Sequence, residues 1–442
     1  MLTSNKRSLA CKILKKLESS GFEAYFVGGC VRDILLNKEP DDIDIATNAK
    51  PEDVTIIFKH TYLVGKQFGV VNVLQDGIPF EVATFRKDGI YHDGRHPTTI
   101  DFGTLEEDAY RRDFTINGMY YHPFRDEFID LVEGKKDLKD GIIRTIGSPE
   151  SRFEEDKLRL LRAIRFCSSL NYKIEEETFL WIKKLASKIT MVSAERIREE
   201  LVKIFTGFNA DIAMNLLMET GILVVILPEV AAMKDIPQPK EFHPEGDVFE
   251  HTKLMFKLIE NKPSVELAFG ILFHDVGKPP TIKYKERIRF DNHTYVGEKI
   301  AVKVLRRFKF SNKQRELICA LVRDHLKFIE VKKMRMSTLK KFLRQERFEE
   351  HLELHRLDCL ASHGMIDNYY FCMEKLEEFG KEEIRPKLLI DGYDLINMNL
   401  TPGPIFSEIL KAVEDAQLEK ILTSKEKALK FVVDNYIEKA EV

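Results

Sequence analysis

The stretch that decides the fold is Glu155-Asp-Lys-Leu-Arg-Leu-Leu-Arg-Ala-Ile-Arg-Phe-Cys167. Its charged residues recur at every third position, so on a helix each one neighbours the next. They are Asp156, Arg159, Arg162 and Arg165. Most of the other positions are apolar, which leaves little of the helix surface for water and predicts a buried helix.

Buried arginines need acceptors, because they keep their charge and desolvation without partners is costly. Two interpretations follow from this stretch alone. In the first, an anionic ligand meets the arginines. In the second, Asp156 and Arg159 form a buried ion pair while the other arginines extend their head groups towards water.

The totals describe a globular protein of several domains. A chain of 442 residues should form roughly three domains of ~150 residues each. No apolar run reaches the ~18 residues that a membrane span needs, and residues 1–20 predict a Lys-rich amphipathic helix unlike a signal peptide. The six cysteines are scattered without a CxxC pair, which favours reduced thiols in a cytoplasmic protein. The net charge of −3 neither requires nor excludes nucleic acid.

A glycine pair follows the first apolar strand. Residues 23–33 predict a short strand, then Gly28 and Gly29, then the start of a helix. Adjacent glycines at such a point let backbone N–H groups approach an anion closely, and Arg32 adds a guanidinium to the first turn. The segment therefore indicates a phosphate contact, although glycine pairs also occur in ordinary turns.

Two aspartates predict a metal site. Asp42 and Asp44 stand at i and i+2 of a predicted strand, so both carboxylates project from one face. Mg²⁺ sites typically combine one or two carboxylates with substrate phosphate oxygens, and paired-metal sites of this kind serve nucleotidyl transfer. An acidic turn that leads into a strand is the alternative.

The following segment predicts a β-hairpin. Residues 64–74 and 79–85 alternate as strands, and Asp76-Gly77 forms the turn between them. Glu81 lies in the second strand, where its phase permits it to face the two aspartates. It is therefore a candidate third carboxylate.

Two further features precede the next apolar segment. Residues 86–97 are polar and rich in glycine, a composition typical of functional loops and of ordinary surface loops. Arg111 and Arg112 are adjacent and are candidate triphosphate ligands. The alternative for this pair is a solvated basic turn.

Four motifs, in this order, resemble those of the class II tRNA nucleotidyltransferases and bacterial poly(A) polymerases, and most of all those of the CCA-adding branch. They are Gly28-Gly-Cys-Val-Arg-Asp33, Asp42-Ile-Asp44, Arg111-Arg-Asp-Phe-Thr-Ile-Asn117 and Glu155–Phe166. The resemblance implies an α+β fold. A polymerase-beta-like nucleotidyltransferase head with a small mixed sheet is expected, followed by all-α neck, body and tail domains.

The resemblance also implies roles for individual residues. Asp42 and Asp44 would hold Mg²⁺ and act in catalysis, and Glu81 is added as a candidate catalytic carboxylate from its phase in the predicted strand. The nucleotide would contact Gly28, Gly29, Arg32, Arg112, Asp156, Arg159, Arg162 and Arg165. Within this group, Asp156 and Arg159 would read the nucleobase.

The chemistry of the bases agrees with that reading. Cytosine and adenine both present an exocyclic amine donor beside a ring-nitrogen acceptor, whereas uracil and guanine present a carbonyl and an N–H. An acceptor at Asp156 next to a donor at Arg159 fits the first pair and repels the second. The loop Tyr91-His-Asp-Gly-Arg95 resembles the flexible loop that the family uses when switching from C to A.

A second set of residues predicts a metal site in the C-terminal half. His274-Asp275 follows the apolar run 267–273, and adjacent His-Asp flanked by distant His and Asp can gather a metal from several helices. The motif Phe273-His-Asp-Val-Gly-Lys278 resembles the HD phosphohydrolase superfamily, which is fused to some tRNA nucleotidyltransferases. The candidate ligands of a divalent transition metal are His251, His274, Asp275, His293, His325 and Asp358. A degenerate site kept as helical scaffold is the alternative.

The resemblance implies five domains. They are a catalytic head at 1–140, a neck at 141–205, a helical connection at 206–245, an HD domain at 246–362 and a tRNA-binding tail at 363–442.

The expected activity is template-free addition of C and A to the 3′ end of tRNA from CTP and ATP, with release of pyrophosphate. An enzyme that adds only A, and a poly(A) polymerase, are the alternatives within this class. A metal-dependent phosphohydrolase, acting as phosphatase or 2′,3′-cyclic phosphodiesterase, is the alternative from another class. The expected partners are tRNA, ATP and CTP, with no membrane.

Overall fold

The computed structural model describes residues 2–437 except 63–68, 89–99, 240, 242, 245 and 285, and only the backbone of residues 2–5, 88, 100, 381 and 382. The chain divides into two compact units. The first is Met1–Ala231 with Arg307–Lys309, and the second is Ala232–Arg306 with Phe310–Val442. The finer division into five domains remains a prediction.

In the N-terminal part of the first unit, the described residues form nine strands. They are β1 (Ala24–Val27), β2 (Asp44–Thr47), β3 (Thr61–Tyr62), β4 (Val70–Gln75), β5 (Ile78–Thr84), β6 (Arg86–Asp88), β7 (Ile100–Phe102), β8 (Tyr120–His122) and β9 (Glu127–Ile129). Seven of them form one sheet in the order β3-β4-β5-β2-β1-β8-β9, and β6 pairs with β7. In the large sheet β2 and β5 are parallel while the other neighbours are antiparallel, which confirms the predicted mixed sheet.

The hairpin of β4 and β5 turns at Asp76 and Gly77, as predicted. Both residues have positive φ, 51° and 81°, which is the requirement of a two-residue type I′ turn. Of the predicted first strand, residues 64–68 lie outside the described residues, as does the predicted switching loop Tyr91–Arg95.

Several helices of the first unit contact these strands, and the later ones pack mainly on one another. The helices of this unit are α1 (Leu2–Ser19), α2 (Gly29–Leu35), α3 (Pro51–Ile57), α4 (Leu105–Tyr110), α5 (Gly134–Asp140), α6 (Pro149–Glu155), α7 (Leu158–Leu170), α8 (Glu176–Leu185), α9 (Ala194–Phe205), α10 (Ala210–Glu219), α11 (Ile222–Ile226) and α12 (Pro228–Ala231). The amphipathic helix α1 buries Leu9, Ile13, Leu14 and Leu17, as its pattern predicts.

The predicted helix at 155–167 is wrong at its start. Helix α6 ends at Glu155, and Asp156 has an extended backbone with φ −143° and ψ 106°. Helix α7 begins at Leu158 and buries Leu160, Leu161 and Ile164, so the prediction of a buried helix is confirmed. Asp156 therefore lies at the junction of two helices, and the direction of its side chain is not set by the repeat of either helix.

The helical part is not purely helical. Strands β10 (Ile142–Ile143) and β11 (Lys173–Ile174) pair in parallel, and β12 (Ile282–Tyr284) and β13 (Ile288–Phe290) form a hairpin. The expectation of all-α neck and body domains is wrong at these two small sheets. The prevailing helical character that it predicted is correct.

The second unit consists mostly of helices. They are α13 (Val248–Lys257), α14 (Val265–Phe273), α15 (Lys278–Thr281), α16 (His293–Arg307), α17 (Asn312–Asp324), α18 (Met336–Leu343), α19 (Phe348–Ala361), α20 (Asp367–Ile384), α21 (Gly392–Asn397), α22 (Pro404–Leu418) and α23 (Lys425–Val432). The end of α16, Arg307, is assigned to the first unit. Among the described residues, every helix is too short or too polar to cross a bilayer.

Candidate active site and candidate metal centre

A cavity of about 610 Å³ in the first unit brings the predicted head and neck residues together. Every predicted residue of that region except Glu81 lines it, and so do residues that the sequence did not single out. The lining comprises Gly28, Gly29, Arg32, Asp42, Asp44, Arg111, Arg112, Asp113, Asn117, Asp156, Leu158, Arg159, Arg162, Arg165, Phe166 and Arg196.

Strand register explains why the glycines and the carboxylates meet. Val27 at the end of β1 pairs with Asp44 at the start of β2, so the glycine pair that follows Val27 lies beside Asp44. Gly28 has φ +77°, a conformation that favours glycine. Ile45 pairs with Val82 in the parallel neighbour β5, which places Glu81 next to Asp44 along the sheet.

The two aspartates differ in their surroundings. Strand β2 begins at Asp44, so the expectation that both residues belong to the strand is wrong, although both line the cavity. Desolvation by the surrounding protein and the charge of Glu81 raise the pKa of Asp44 to about 6, even though the residue remains accessible. The side chain of Asp42 is 88% exposed, and Lys6 Nζ lies 2.6 Å from its Oδ1.

One buried carboxylate anchors the two adjacent arginines. Asp108 accepts from Arg111 Nη2 at 2.6 Å, from Arg112 Nη2 at 3.0 Å and from the Tyr120 hydroxyl at 2.6 Å. Although burial disfavours its charged form, the charges of Arg112 and Arg111 hold the pKa of Asp108 at about 2. The arginines are thus fixed in place, which excludes the alternative of a solvated basic turn.

Arg32 is fixed by its sequence neighbour Asp33 and by the distant Asn117. Its Nη1 donates to Asn117 Oδ1 at 2.9 Å, and its Nη2 donates to Asp33 Oδ1 at 2.8 Å. Its guanidinium also lies 5.5 Å from the centre of the Phe166 ring.

Asp156 and Arg159 do not form an ion pair with each other. Asp156 accepts from Arg196 Nη2 at 2.7 Å and from Arg196 Nη1 at 3.2 Å. Arg159 instead donates to Glu155 at 2.6 Å and to the carbonyl oxygen of Arg111 at 3.1 Å. The second interpretation of the opening stretch, an Asp156–Arg159 pair, is therefore wrong.

The remaining arginines of α7 also find carboxylates from distant parts of the chain. Arg162 Nε donates to Asp113 at 2.8 Å, and Arg165 Nε donates to Glu200 at 2.7 Å. Although burial opposes it, the charges of Arg162 and Arg159 lower the pKa of Asp113 to about 2. These arginines thus have protein acceptors before any ligand binds.

Sequence reasoning missed Arg196, Asp113, Asn117 and Glu155 as parts of this site. Asp113 and Asn117 stand inside the quoted Arg111–Asn117 motif, and Glu155 opens the deciding stretch, so their positions offered a signal. Arg196 lies in α9 and carried no local signal, because only tertiary packing brings it to Asp156.

Two groups of potential metal ligands occur in the described parts of the chain, and both belong to the second unit. The first is His251, His274 and Asp358, and the second is Asp275, His293 and His325. In each group the ligand atoms lie within 4.8 Å of one another. The six residues predicted from sequence are thus all brought together, whereas the carboxylates of the head do not form such a group among the described residues.

The second group is centred on Asp275. Its carboxylate lies 3.1 Å from His274 Nε2, 3.4 Å from His293 Nε2 and 3.8 Å from His325 Nε2. Lys278 Nζ lies 2.6 Å from the same carboxylate. In the first group, His251 Nε2 lies 3.1 Å from Asp358 Oδ1.

The histidines are oriented as metal ligands require. The Nδ1 atoms of His274, His293 and His325 lie 2.8 to 2.9 Å from the carbonyl oxygens of Ile271, Phe290 and Val322. A carbonyl accepts only, so each Nδ1 carries the proton and each Nε2 presents its lone pair to the centre. Burial, together with the neighbouring histidines, lowers the pKa of His325 to about 3, which favours the neutral ligand form.

Gly277 is required by the packing around this centre. A Cβ atom at this position would lie 2.1 Å from the carbonyl oxygen of His293 and 2.6 Å from the backbone nitrogen of Gly297. The glycine of the His-Asp-Val-Gly-Lys motif therefore lets α16 bring His293 to Asp275. The donor set, two carboxylates and four imidazoles, fits divalent transition metals.

Three segments of the chain match known protein families. Residues 24–144 match the poly A polymerase head domain, residues 171–234 match a probable RNA and SrmB-binding site of polymerase A, and residues 248–360 match the HD domain. The CCA-adding enzyme of Ligilactobacillus salivarius is 47% identical over 201 residues, which are 45% of this chain and 50% of that protein. The chain thus aligns with about half the length of the curated relatives it matches.

Solved structures match the chain over nearly its whole length. The CCA-adding enzyme of Bacillus stearothermophilus in complex with CTP has a TM-score of 0.72 and 26% identity, and the match covers 98% of each chain. The Thermotoga maritima CCA-adding enzyme complexed with tRNA has a TM-score of 0.58 and 21% identity, covering 96% of this chain and 93% of that one. At that identity the second likeness concerns the fold alone.

Proposed function

We propose that the protein adds C and A to the 3′ end of tRNA from CTP and ATP, because residues 24–144 match the poly A polymerase head domain, residues 171–234 match a probable RNA-binding site of polymerase A, and residues 248–360 match the HD domain. One observation carries the proposal. A single cavity holds exposed carboxylates, fixed arginines and the Asp156–Arg159 edge, which are the three elements that metal-assisted, base-selective nucleotidyl transfer needs.

The arginines would bind the triphosphate. Arg32 donates to the amide of Asn117, and Arg112 donates to the carboxylate of Asp108. Each guanidinium group keeps further N–H donors for phosphate oxygens. In the reaction the tRNA 3′ hydroxyl oxygen forms a bond to the α-phosphorus, the bond from that phosphorus to the bridging oxygen breaks, and pyrophosphate leaves. The hydroxyl proton passes to a carboxylate or to water.

The carboxylates Asp42, Asp44 and Glu81 fit Mg²⁺. Their oxygen donors are those that Mg²⁺ prefers, and the desolvation and the charge of Glu81 that raise the pKa of Asp44 would be offset by a bound cation. Bound Mg²⁺ would neutralise phosphate charge and lower the pKa of the attacking hydroxyl.

Asp156 and Arg159 would select the base. Arg159 Nη1 uses both of its hydrogens on Glu155 and the Arg152 carbonyl, and Nη2 uses one on the Arg111 carbonyl, so two donors remain. Arg196 holds Asp156 by two hydrogen bonds and thereby fixes the direction of its acceptor oxygens. This acceptor-donor edge complements cytosine and adenine, and Arg196 and Glu155 act as its positioning residues.

Single-nucleotide addition to defined tRNA transcripts tests the proposal. Transcripts that lack three, one or no terminal nucleotides would be incubated with each nucleoside triphosphate alone. We expect C addition to the first transcript, A addition to the second and no further addition to the third. A added only to the CC-ended transcript would establish an A-adding enzyme, and long A tails would establish a poly(A) polymerase.

A second function is favoured by the six convergent ligands of the HD centre. We propose that it hydrolyses phosphate esters with a divalent transition metal held by His251, His274, Asp275, His293, His325 and Asp358. Water would form the new bond to phosphorus, the ester P–O bond would break, and the leaving alcohol would take up a proton. The expected result is phosphate release, and a bound metal by elemental analysis, that both disappear in His274→Ala while nucleotide addition continues.

The tail at 363–442 is proposed to hold the elbow of tRNA. The six cysteines are all free thiols, which supports a reducing cytoplasmic location.

A further inference from the structure

A second cavity of about 680 Å³ adjoins the HD centre. It is lined by residues 237–239, by Glu241, by the hairpin segment 287–291 and by His293, which also belongs to the second ligand group. The cavity lies wholly within the second unit, and its volume accommodates a nucleotide-sized ligand.

The amide of Gln238 is the feature of this cavity that demands a ligand. Lys278 Nζ donates to Gln238 Oε1 at 2.6 Å, and Lys278 also contacts Asp275. An ammonium has no acceptor, so the oxygen of the amide must face Lys278 and the nitrogen must point away from it. Gln238 is 4% exposed, and its Nε2 has no hydrogen-bond partner among the described residues.

A buried amide nitrogen without an acceptor is costly, so a group that supplies an oxygen should bind there. Arg287 and Arg289 add two guanidinium groups to the wall, and the half-buried ring of Phe290 adds an aromatic surface. Two carboxylates, Glu241 and Asp291, also line it, and Asp291 is paired with Lys283 at 3.2 Å and Arg289 at 4.0 Å.

We propose that this cavity binds the nucleoside phosphate ester on which the HD centre acts, with Gln238 Nε2 donating to a phosphoryl oxygen. Arg287 and Arg289 attract the anionic ligand, and Phe290 offers its ring to the base. Gln238 is thus a specificity-determining residue for phosphate esters with a bulky aromatic group. The proposal rests on the phosphohydrolase function proposed above.

The test uses Gln238→Glu, which exchanges only the amide nitrogen for an oxygen. The acceptor for Lys278 is kept, so the fold and the metal centre should be kept, while the donor to phosphate becomes a repelling carboxylate. Binding of adenosine 5′-monophosphate would be measured by calorimetry on the full chain, with and without divalent metal. Arg112→Ala and Arg159→Ala in the background suppress binding at the head cavity.

We expect a ten- to hundredfold weaker affinity in Gln238→Glu, about the effect of one hydrogen bond to a charged group. Metal content and melting temperature should match those of the background protein. Gln314→Glu, at the N-terminus of α17 and outside this cavity, is the matched control and should bind normally. If Gln238→Glu is unstable, Arg287→Met serves instead and should weaken binding several-fold.

Unchanged affinity in a folded Gln238→Glu protein would overturn the proposal even if the HD centre releases phosphate. Absence of both bound metal and phosphate release in the wild-type protein would instead refute the phosphohydrolase function. Because binding and hydrolysis are measured separately, the two failures are distinguishable.

Discussion

The two candidate sites place carboxylates for a cation in opposite environments, one exposed and one buried. In the head, Asp42 is 88% exposed and contacts Lys6, and the described carboxylates form no ligand group of their own. In the HD centre, six potential metal ligands form two groups, five of the six are buried, and three imidazoles are fixed by backbone carbonyls.

We relate this difference to the role proposed for each cation. A head cation that enters with the nucleotide can take several of its ligands from phosphate oxygens, so the protein needs to supply only a few. A cation that remains in the protein needs its full set of ligands from side chains, and burial then keeps imidazoles neutral and prearranged. The head therefore resembles a half-site that its substrate completes, and the HD centre resembles a complete site.

The largest expected effect comes from substituting one carboxylate or histidine in each site separately. Asp44→Asn should lower nucleotide addition by about a thousandfold or more, since metal-assisted charge stabilisation contributes several kcal/mol. It should leave phosphate release unchanged, and His274→Asn should do the reverse. Both rates would be measured on the same preparations. Loss of both activities in either variant would mean that the sites are not independent.

Removal of the two hydrogen bonds that Arg196 donates to Asp156 should have the next largest effect. Arg196→Met leaves Asp156 without its two hydrogen bonds, so its acceptor oxygens lose their fixed direction. We expect discrimination of CTP and ATP against UTP and GTP to fall about tenfold or more, as one bidentate contact is worth 1–3 kcal/mol. Competition assays with mixed nucleotides measure this ratio. Arg198→Met on the same helix, outside the cavity, is the control, and equal losses in both variants would contradict the assignment.

The third prediction concerns the stability of the arginine network. Asp113 has a folded pKa of about 2 against an ordinary value of 3.8, so the unfolded state binds more protons between these values. Its contribution, about 2 kcal/mol, is present above pH 4 to 5 and is lost as the pH falls towards 2. Asp113→Asn should therefore be less stable at pH 7, by about that amount, and the difference should shrink in acid.

Urea unfolding followed by the fluorescence of Trp181 measures this difference, because the only tryptophan of the chain lies in α8 of the first unit. Glu150→Gln, an exposed position of α6, is the control and should show little change. A difference that persists unchanged at pH 3 would mean that the ion pair with Arg162 is not its source.

The smallest expected effect tests whether the head site is open to its cation. Lys6 contacts Asp42 at 2.6 Å and competes there with any metal. Lys6→Met should lower the Mg²⁺ concentration for half-maximal addition a few-fold, since exposed ion pairs contribute less than about 1 kcal/mol. Lys12 lies on the same helix as Lys6 and forms an exposed ion pair with Asp76. Lys12→Met removes that pair and should leave the Mg²⁺ requirement unchanged. A higher Mg²⁺ requirement in Lys6→Met would show that Lys6 assists the site instead.

Local sequence features predicted much of this molecule. The hairpin at Asp76-Gly77, the glycine pair before α2, the buried helix α7 and the adjacent His274 and Asp275 were visible in short motifs, because turn geometry and apolar periodicity act within a few residues. The break at Asp156 was not predicted, since periodicity continues across it.

The sequence by itself determined the order of the motifs, and that order already indicated a nucleotidyltransferase head and an HD domain and supplied most of the candidate site residues. Only the tertiary structure decided how they are paired. Arg196 reaches Asp156 across 40 residues, Arg162 meets Asp113 across 49, and Gln238 meets Lys278 across 40. Such contacts leave no local signal, because charged groups choose partners according to which elements pack together and exclude water, and that choice belongs to the fold as a whole.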